Sequence, residues 1–138
     1  MKELTIYTAA AVGEAKSAAV AVFCNEKGSV IKSFSQYLDN VDGQQSQYLA
    51  AIFALSQFES FFGSQLAREA QIEIRCDMPL LVSQINGRQK IEDPRLNDLF
   101  IKLWNLTIDF KKVKFIQIST QNNSKAVDLA HKLLGSCR

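Results

Sequence analysis

The spacing of hydrophobic and polar residues predicts three strands at the start of the chain. Residues 4–9 are rich in strand-forming side chains, and residues 18–25 form a continuous small and apolar run that is typical of a central strand. Residues 29–38 alternate between two faces that each mix apolar and polar side chains, one with Val30, Lys32, Phe34 and Gln36 and the other with Ile31, Ser33, Ser35 and Tyr37, which suits a strand near a sheet edge. Gly28 supplies the positive φ for a tight turn over residues 26–28. Together these segments predict an antiparallel meander.

The pattern then changes to a helical period. Residues 47–62 form a predicted helix that ends at Gly63, with Ser46 as its cap after a polar loop over residues 39–45. A further loop is expected over residues 63–71. The apolar stripe of the helix consists of Tyr48, Ala51, Ile52, Leu55 and Phe62.

The second half of the chain alternates strands with helices. Strands are predicted at residues 71–76 and 113–119, and helices at residues 78–85, 94–110 and 124–134. Three meander strands followed by strand–helix units predict a mixed α/β fold with a five-stranded mixed sheet flanked by helices. The length of 138 residues favours a single domain over the whole chain.

Composition narrows the class of protein. The chain is 47% hydrophobic with a net charge of +2, which is typical of a globular domain and not of a strongly basic nucleic-acid binder. No apolar run reaches membrane-spanning length and no signal-peptide pattern precedes the first strand, so we expect a cytoplasmic protein without membrane contact.

The three cysteines, Cys24, Cys76 and Cys137, lack metal-site spacing and are expected to be reduced, with small buried thiols. His131 is expected on a helix surface.

Four segments of the sequence resemble one family in order and spacing. They are "LTIYT" followed by two small residues, "QYLAAIFAL", "IEIRCDMPLLVSQI" and "NNSKAVDLA". In these segments the chain resembles type 1 ribonuclease H, and the resemblance covers nearly the whole chain. It implies a ribonuclease H-like fold and hydrolysis of the RNA strand of an RNA–DNA hybrid.

The resemblance also implies a catalytic set of four carboxylates around two magnesium ions. Mg²⁺ prefers hard oxygen ligands, and two such ions can hold the attacking and leaving oxygens of an in-line displacement. In this chain the family's four positions fall on Ala9, Gln47, Asp77 and Val127. Only Asp77 is a carboxylate, so we expect no catalytic residues, no two-metal site and an apolar or weakly polar floor between Ala9 and Val127.

Asp77 has two interpretations. It is expected to cap the helix that begins at Met78 and Pro79 by accepting backbone N–H groups. As a single carboxylate it would bind Mg²⁺ at most weakly, and no other cofactor is expected. A divergent magnesium-dependent nuclease would need other carboxylates, such as Glu14 or Asp42, to bend inward from their loops.

The favoured functional hypothesis is a catalytically inactive, non-cleaving nucleic-acid-binding domain. Amide side chains lie before and at the start of the first predicted helix and in the turn before the last one. Such amides can reach 2′-hydroxyl groups and minor-groove base edges of an RNA–DNA hybrid or double-stranded RNA. The same amides also fit ordinary polar turns. The candidate binding residues are Gln44, Gln45, Gln47, Asn122 and Asn123.

A second hypothesis is a protein-interaction or assembly domain without a nucleic-acid role, including a homo-oligomer. The phenylalanines of the long helix cover more than one face, so an exposed ring would mark a self-association or partner surface. Alternatively, all of these rings pack beneath the following loop. They are Phe53, Phe58, Phe61 and Phe62.

Overall fold

The computed structural model describes residues 3–135 and contains one five-stranded sheet of order β3-β2-β1-β4-β5. The first three strands form an antiparallel meander, and β4 and β5 add to β1 in parallel. This mixed sheet confirms the predicted fold class. The strands are β1 Glu3–Val12, β2 Ser17–Cys24, β3 Val30–Leu38, β4 Gln71–Cys76 and β5 Lys112–Gln117.

Burial along the strands follows their positions in the sheet. Every residue of β2 is buried, as its continuous small and apolar run predicts for an interior strand. β3 forms one edge and is mostly exposed, as its alternating pattern indicates. The turn between them includes Gly28 at φ +84°, a conformation that glycine adopts without steric cost. β1 extends three residues beyond its predicted end at Ala9, because Ala10, Ala11 and Val12 continue the pairing with β2.

Five α-helices pack on or beside the sheet. The first begins four residues earlier than predicted, so the polar loop before it is shorter and Ser46 is not its cap. Asp42 caps it instead: its carboxylate accepts the Gln45 backbone N–H at 2.8 Å. The helices are α1 Gly43–Phe62, α2 Ser64–Glu69, α3 Pro79–Ile85, α4 Pro94–Ile108 and α5 Ser124–Gly135.

The segment after α1 corrects a second expectation. Residues 63–71 were predicted to be a loop, but most of them form α2. Gly63, with φ +93°, ends α1, and α2 starts in the next residue. Ala67 of α2 is fully buried, so the short helix is held by packing on the core, since six residues are too few for a helix to form on its own.

The core lies on both faces of the sheet. α1, α3 and α4 cover one face in a large apolar cluster that includes Ile6, Tyr48 and Leu103. α5 covers part of the other face in a smaller cluster. No helix within residues 3–135 is long and apolar enough to cross a membrane.

Several predicted side-chain environments are confirmed. Cys24 and Cys76 are buried free thiols, whereas Cys137 lies outside the described residues. His131 is exposed on α5. Of the helix phenylalanines, Phe53 and Phe58 are buried and Phe62 is half-buried, but Phe61 is 52% exposed.

Candidate functional site

Two of the predicted site positions, Ala9 and Asp77, follow β1 and β4 residues that pair in parallel, and a third, Val127, packs against the same apolar cluster as Ala9. Tyr7 pairs with Arg75 in that register, and Ala9 and Asp77 each follow two residues later. The carboxyl ends of adjacent parallel strands are the usual location of ligand sites in α/β proteins. Ala9 and Asp77 therefore both lie two residues beyond the last paired residues of two neighbouring parallel strands.

Ala9 lies in an apolar environment. It is 1% exposed and belongs to the cluster beneath α5, together with Ala126 and Ala130. Val127 packs against the same cluster. Ala9 and Val127 therefore share an apolar environment. Asp128 is exposed on α5.

Asp77 does not cap α3, contrary to the sequence-based expectation. The N-cap residue of α3 is Met78, and no side chain caps this helix. The Asp77 carboxylate instead accepts a hydrogen bond of 2.9 Å from the Thr120 hydroxyl. The carboxylate is directed toward the segment that follows β5, which ends beside β4 in the sheet.

The N-terminus of α1 uses some of the candidate groups for its own cap. Gln45 completes a reciprocal capping box, because its side-chain oxygen accepts the Asp42 backbone N–H at 3.2 Å. Asp42 also forms an ion pair of 2.8 Å with Arg95, so this carboxylate is held at the helix start. Gln44 is exposed beside a cavity of about 260 Å³ that Lys90 also lines.

Gln47 and Asn123 carry side-chain oxygens that are buried without a hydrogen-bond partner among the described residues. Gln47 is half-buried on the first turns of α1. Asn123 is 1% exposed, and its Nδ2 donates 2.8 Å to the carbonyl oxygen of Thr8, one residue before Ala9. Asn122, in contrast, is exposed. The five amides therefore differ: Gln44 and Asn122 face solvent, and Gln45 and Asn123 have structural partners.

The donor set at this edge does not match a two-magnesium site. Ala9 and Val127 offer no oxygen, and Gln47 offers a neutral amide. Within residues 3–135, no three His, Cys, Asp or Glu side chains lie together in a group that could hold a metal ion. Burial raises the pKa of the Cys76 thiol, and the adjacent Asp77 carboxylate raises it further, so the thiol stays neutral at pH 7.

Thr120 and Thr8 are site residues that sequence reasoning missed. Thr120 follows β5 as Asp77 follows β4, and the parallel pairing of these strands brings both to one edge. The predicted position of β5 therefore indicated that Thr120 lies on the same side of the sheet as Asp77. Thr8 contributes through its backbone carbonyl, which side-chain patterns do not reveal.

Solved structures with the same fold include ribonucleases H1. LC11-RNase H1, isolated from compost by a metagenomic approach, matches with a TM-score of 0.88 and 24% identity over 99% of both chains. LC11-RNase H1 in complex with an RNA/DNA hybrid matches with a TM-score of 0.83 and 25% identity over 92% of both. RNase H1 from the halophilic archaeon Halobacterium salinarum NRC-1 matches with a TM-score of 0.81 and 20% identity over 93% of both.

The sheet order and these similarities define a ribonuclease H-like fold, as the sequence resemblance implied. The chain belongs to the reverse transcriptase-like family, whose model matches residues 7–133. A search of curated proteins gives no match.

Proposed function

We propose that this protein is a non-cleaving nucleic-acid-binding module that takes an RNA–DNA hybrid or double-stranded RNA at the edge formed by the ends of β1 and β4. The observation that carries the proposal is the side-chain oxygen of Gln47. It has no hydrogen-bond partner within residues 3–135, and it lies in the first turns of α1, at the position that the family resemblance assigns to the site. The oxygen itself is buried, so we expect the Gln47 side chain to turn outward and pair with a donor that a ligand brings, such as a 2′-hydroxyl group.

The comparison with a hybrid-bound protein supports the class of ligand. LC11-RNase H1 was solved with an RNA/DNA hybrid, and the present chain matches it over 92% of its length. The substitutions at Ala9, Gln47 and Val127 remove negative charge that would repel phosphate groups. Neutral amides and methyl groups let a duplex approach without bound cations to offset repulsion.

Loss of cleavage follows from charge. One carboxylate, Asp77, cannot neutralise two divalent cations, and its Oδ2 already accepts from Thr120. Asp42 is held in the α1 cap, and Glu14 is exposed in the β1–β2 turn, so neither of them supplies the missing oxygens in this conformation.

The test uses a labelled blunt RNA–DNA hybrid, double-stranded RNA and double-stranded DNA of one sequence, each with Mg²⁺ and then Mn²⁺. We expect salt-dependent binding of the two RNA-containing duplexes without cleavage. Gln47→Ala should weaken that binding about tenfold, whereas Gln57→Ala, a half-buried glutamine further along α1, should leave it unchanged. Cleavage by protein free of contaminating nuclease, or equal binding by both variants, would contradict the proposal.

An assembly role is a second candidate, and one observation favours it. Phe61 is 52% exposed and packs edge-on against Phe34 of the edge strand β3, with ring centroids 5.5 Å apart. Lys32 lies about 6 Å from both ring centroids. If the protein binds none of the duplexes and its mass rises with concentration, this aromatic edge is the surface to mutate first, with Phe61→Ser.

A further inference from the structure

A shallow groove between α3 and α4 exposes the side chain of Trp104. The indole is 50% exposed and stacks in parallel on Phe100, with ring centroids 6.3 Å apart and an angle of 10° between the planes. The opposite wall is the end of α3 and the turn after it. The groove has a volume of about 410 Å³ and is lined by Gln84, Ile85, Asn86, Gly87, Phe100 and Trp104.

The groove is preformed and open. Asn86 anchors the turn by donating its Nδ2 hydrogen to the carbonyl oxygen of Phe115 at 3.2 Å. Gly87 has open space where a side chain would begin, with no heavy atom within 4 Å of that position. Phe100 is partly buried against the core, so the ring on which Trp104 stacks is held in place. Trp104 therefore presents a flat face that is supported from behind.

Size and charge select the kind of ligand. A volume of this magnitude falls in the range of about 300–1,000 Å³ that is typical of small-molecule sites. None of the six lining residues is acidic. Arg88 and Lys90, which follow Gly87, are exposed and form no ion pair within the described part of the chain. Aromatic rings beside unpaired cations are typical of platforms for unpaired nucleotides.

The position of the groove connects it to the proposed duplex site. α3 begins two residues after Asp77 and ends at Ile85, in the groove wall. Seven helical residues span about 10 Å, close to three base-pair rises along one strand. A strand that leaves a duplex at the β1–β4 edge and follows α3 would come to the groove wall at Ile85 after about three nucleotides.

We propose that the Phe100–Trp104 groove binds an unpaired nucleotide of a single-stranded extension, with its base stacked on Trp104 and its phosphate near Arg88. This inference rests on the proposed function for the identity of the ligand, but the groove and the duplex site use different residues. With such a groove the protein binds junctions between a duplex and a single strand more tightly than a duplex alone.

The test exploits the fact that Trp104 is the one tryptophan of the sequence. Blunt hybrid and the same hybrid with four unpaired thymidines at each of its four ends in turn are titrated by anisotropy, while tryptophan emission is recorded. We expect at least one extension to raise affinity about tenfold and to quench the emission. Trp104→Leu should abolish that gain, and Trp104→Phe, which keeps a flat ring, should retain most of it.

Ile108→Ala is the matched control, because Ile108 is 67% exposed on the same helix but does not line the groove. It should leave the gain intact, and thermal melts should show that all variants fold. If blunt hybrid binds and no extension adds affinity, the groove proposal fails while the proposed function stands. If oligothymidine quenches the Trp104 emission but blunt hybrid does not bind, the groove proposal stands while the proposed function fails. Emission that changes with protein concentration alone identifies a contact between copies and overturns the groove proposal.

Discussion

The side-chain amide of Asn123 donates a hydrogen bond of 2.8 Å to the carbonyl oxygen of Thr8. This bond ties the short 3-10 helix at Gln121–Asn123, which leads into α5, to the strand residue that precedes Ala9. The residues are 115 positions apart in sequence. This buried hydrogen bond therefore helps to fix the start of α5 against β1, together with the packing of Ala126 and Ala130 on Ala9 and Ala11.

Removing this contact should destabilise the fold. Asn123→Ala should lower the free energy of unfolding by about 1–2 kcal/mol, because it deletes a buried hydrogen bond. Asn122→Ala, at an exposed neighbouring position, should change it by less than about 0.5 kcal/mol. Urea denaturation of both variants measures the difference, and equal effects would show that the Asn123–Thr8 bond contributes nothing.

Restoring the family carboxylates should create a metal-dependent fold. The triple variant Ala9→Asp, Gln47→Glu and Val127→Asp should melt below the native protein in chelator, because it buries charge in an apolar cluster. Mn²⁺ should then raise its melting temperature, by an amount equivalent to about 2.7 kcal/mol at a hundredfold excess over Kd.

The control for this variant adds Asp77→Asn to the three changes and should lose the response to Mn²⁺. The native protein should melt at the same temperature with and without the ion. A triple variant that ignores Mn²⁺ would show that the four positions do not converge as proposed.

Stability should depend on the ionisation of Glu59. Burial raises the pKa of this carboxyl above its usual 4.5, and hydrogen bonding to Asp109 and its negative charge raise it further. The folded state therefore binds the proton more tightly than the unfolded state. The stabilisation that comes from this tighter binding is present below pH 4.5 and is lost as the pH rises through the pKa of Glu59 in the folded state. Glu59→Gln should raise the melting temperature at pH 7 and have little effect at pH 4.

The matched control is Glu69→Gln, because Glu69 is exposed at the end of α2. It should leave the melting temperature unchanged at both pH values. A Glu59→Gln effect of the same size at pH 4 and pH 7 would rule out ionisation as its cause.

Tyr48 should contribute to stability through a buried polar pair. Its hydroxyl donates to the Gln84 side-chain oxygen at 2.7 Å, and burial raises the pKa of Tyr48 to about 12. Tyr48→Phe should cost about 1–3 kcal/mol, since it leaves the amide oxygen of Gln84 buried without this donor. Combining it with Gln84→Leu should recover part of the loss in chemical denaturation. A double variant whose cost equals the sum of both single costs would contradict this coupling.

The sequence predicted the sheet and most helices because their patterns are long and regular. The run over β2 and the stripe on α1 each extend over several residues with one period. α2 was missed because its six residues are held by packing of Ala67 rather than by an intrinsic signal. The predicted start of α1 at residue 47 was wrong although the sequence contains a local signal for the earlier start, because Asp42 and Gln45 have the spacing of a capping box.

At the site, residue types could be predicted but their partners could not. Strand order makes β1 and β4 parallel neighbours, so Ala9 and Asp77 follow paired residues, but their proximity stays a prediction. The hydrogen-bond partner of Asp77 is the Thr120 hydroxyl, in the segment that follows β5, and not a backbone N–H group of α3. Tertiary contacts of this kind, between segments 43 residues apart, leave no trace in local spacing.

The close packing of Ala9 and Ala11 against Ala126 and Ala130 has an evolutionary consequence. Any single reversion to an acidic side chain at Ala9 would insert an uncompensated charge between tightly apposed layers, at a cost of several kcal/mol, before any ion is available to offset it. Most small domains have only about 5–15 kcal/mol of stability to lose. A carboxylate at position 9 is therefore accessible only together with compensating changes in the surrounding methyl-lined cluster.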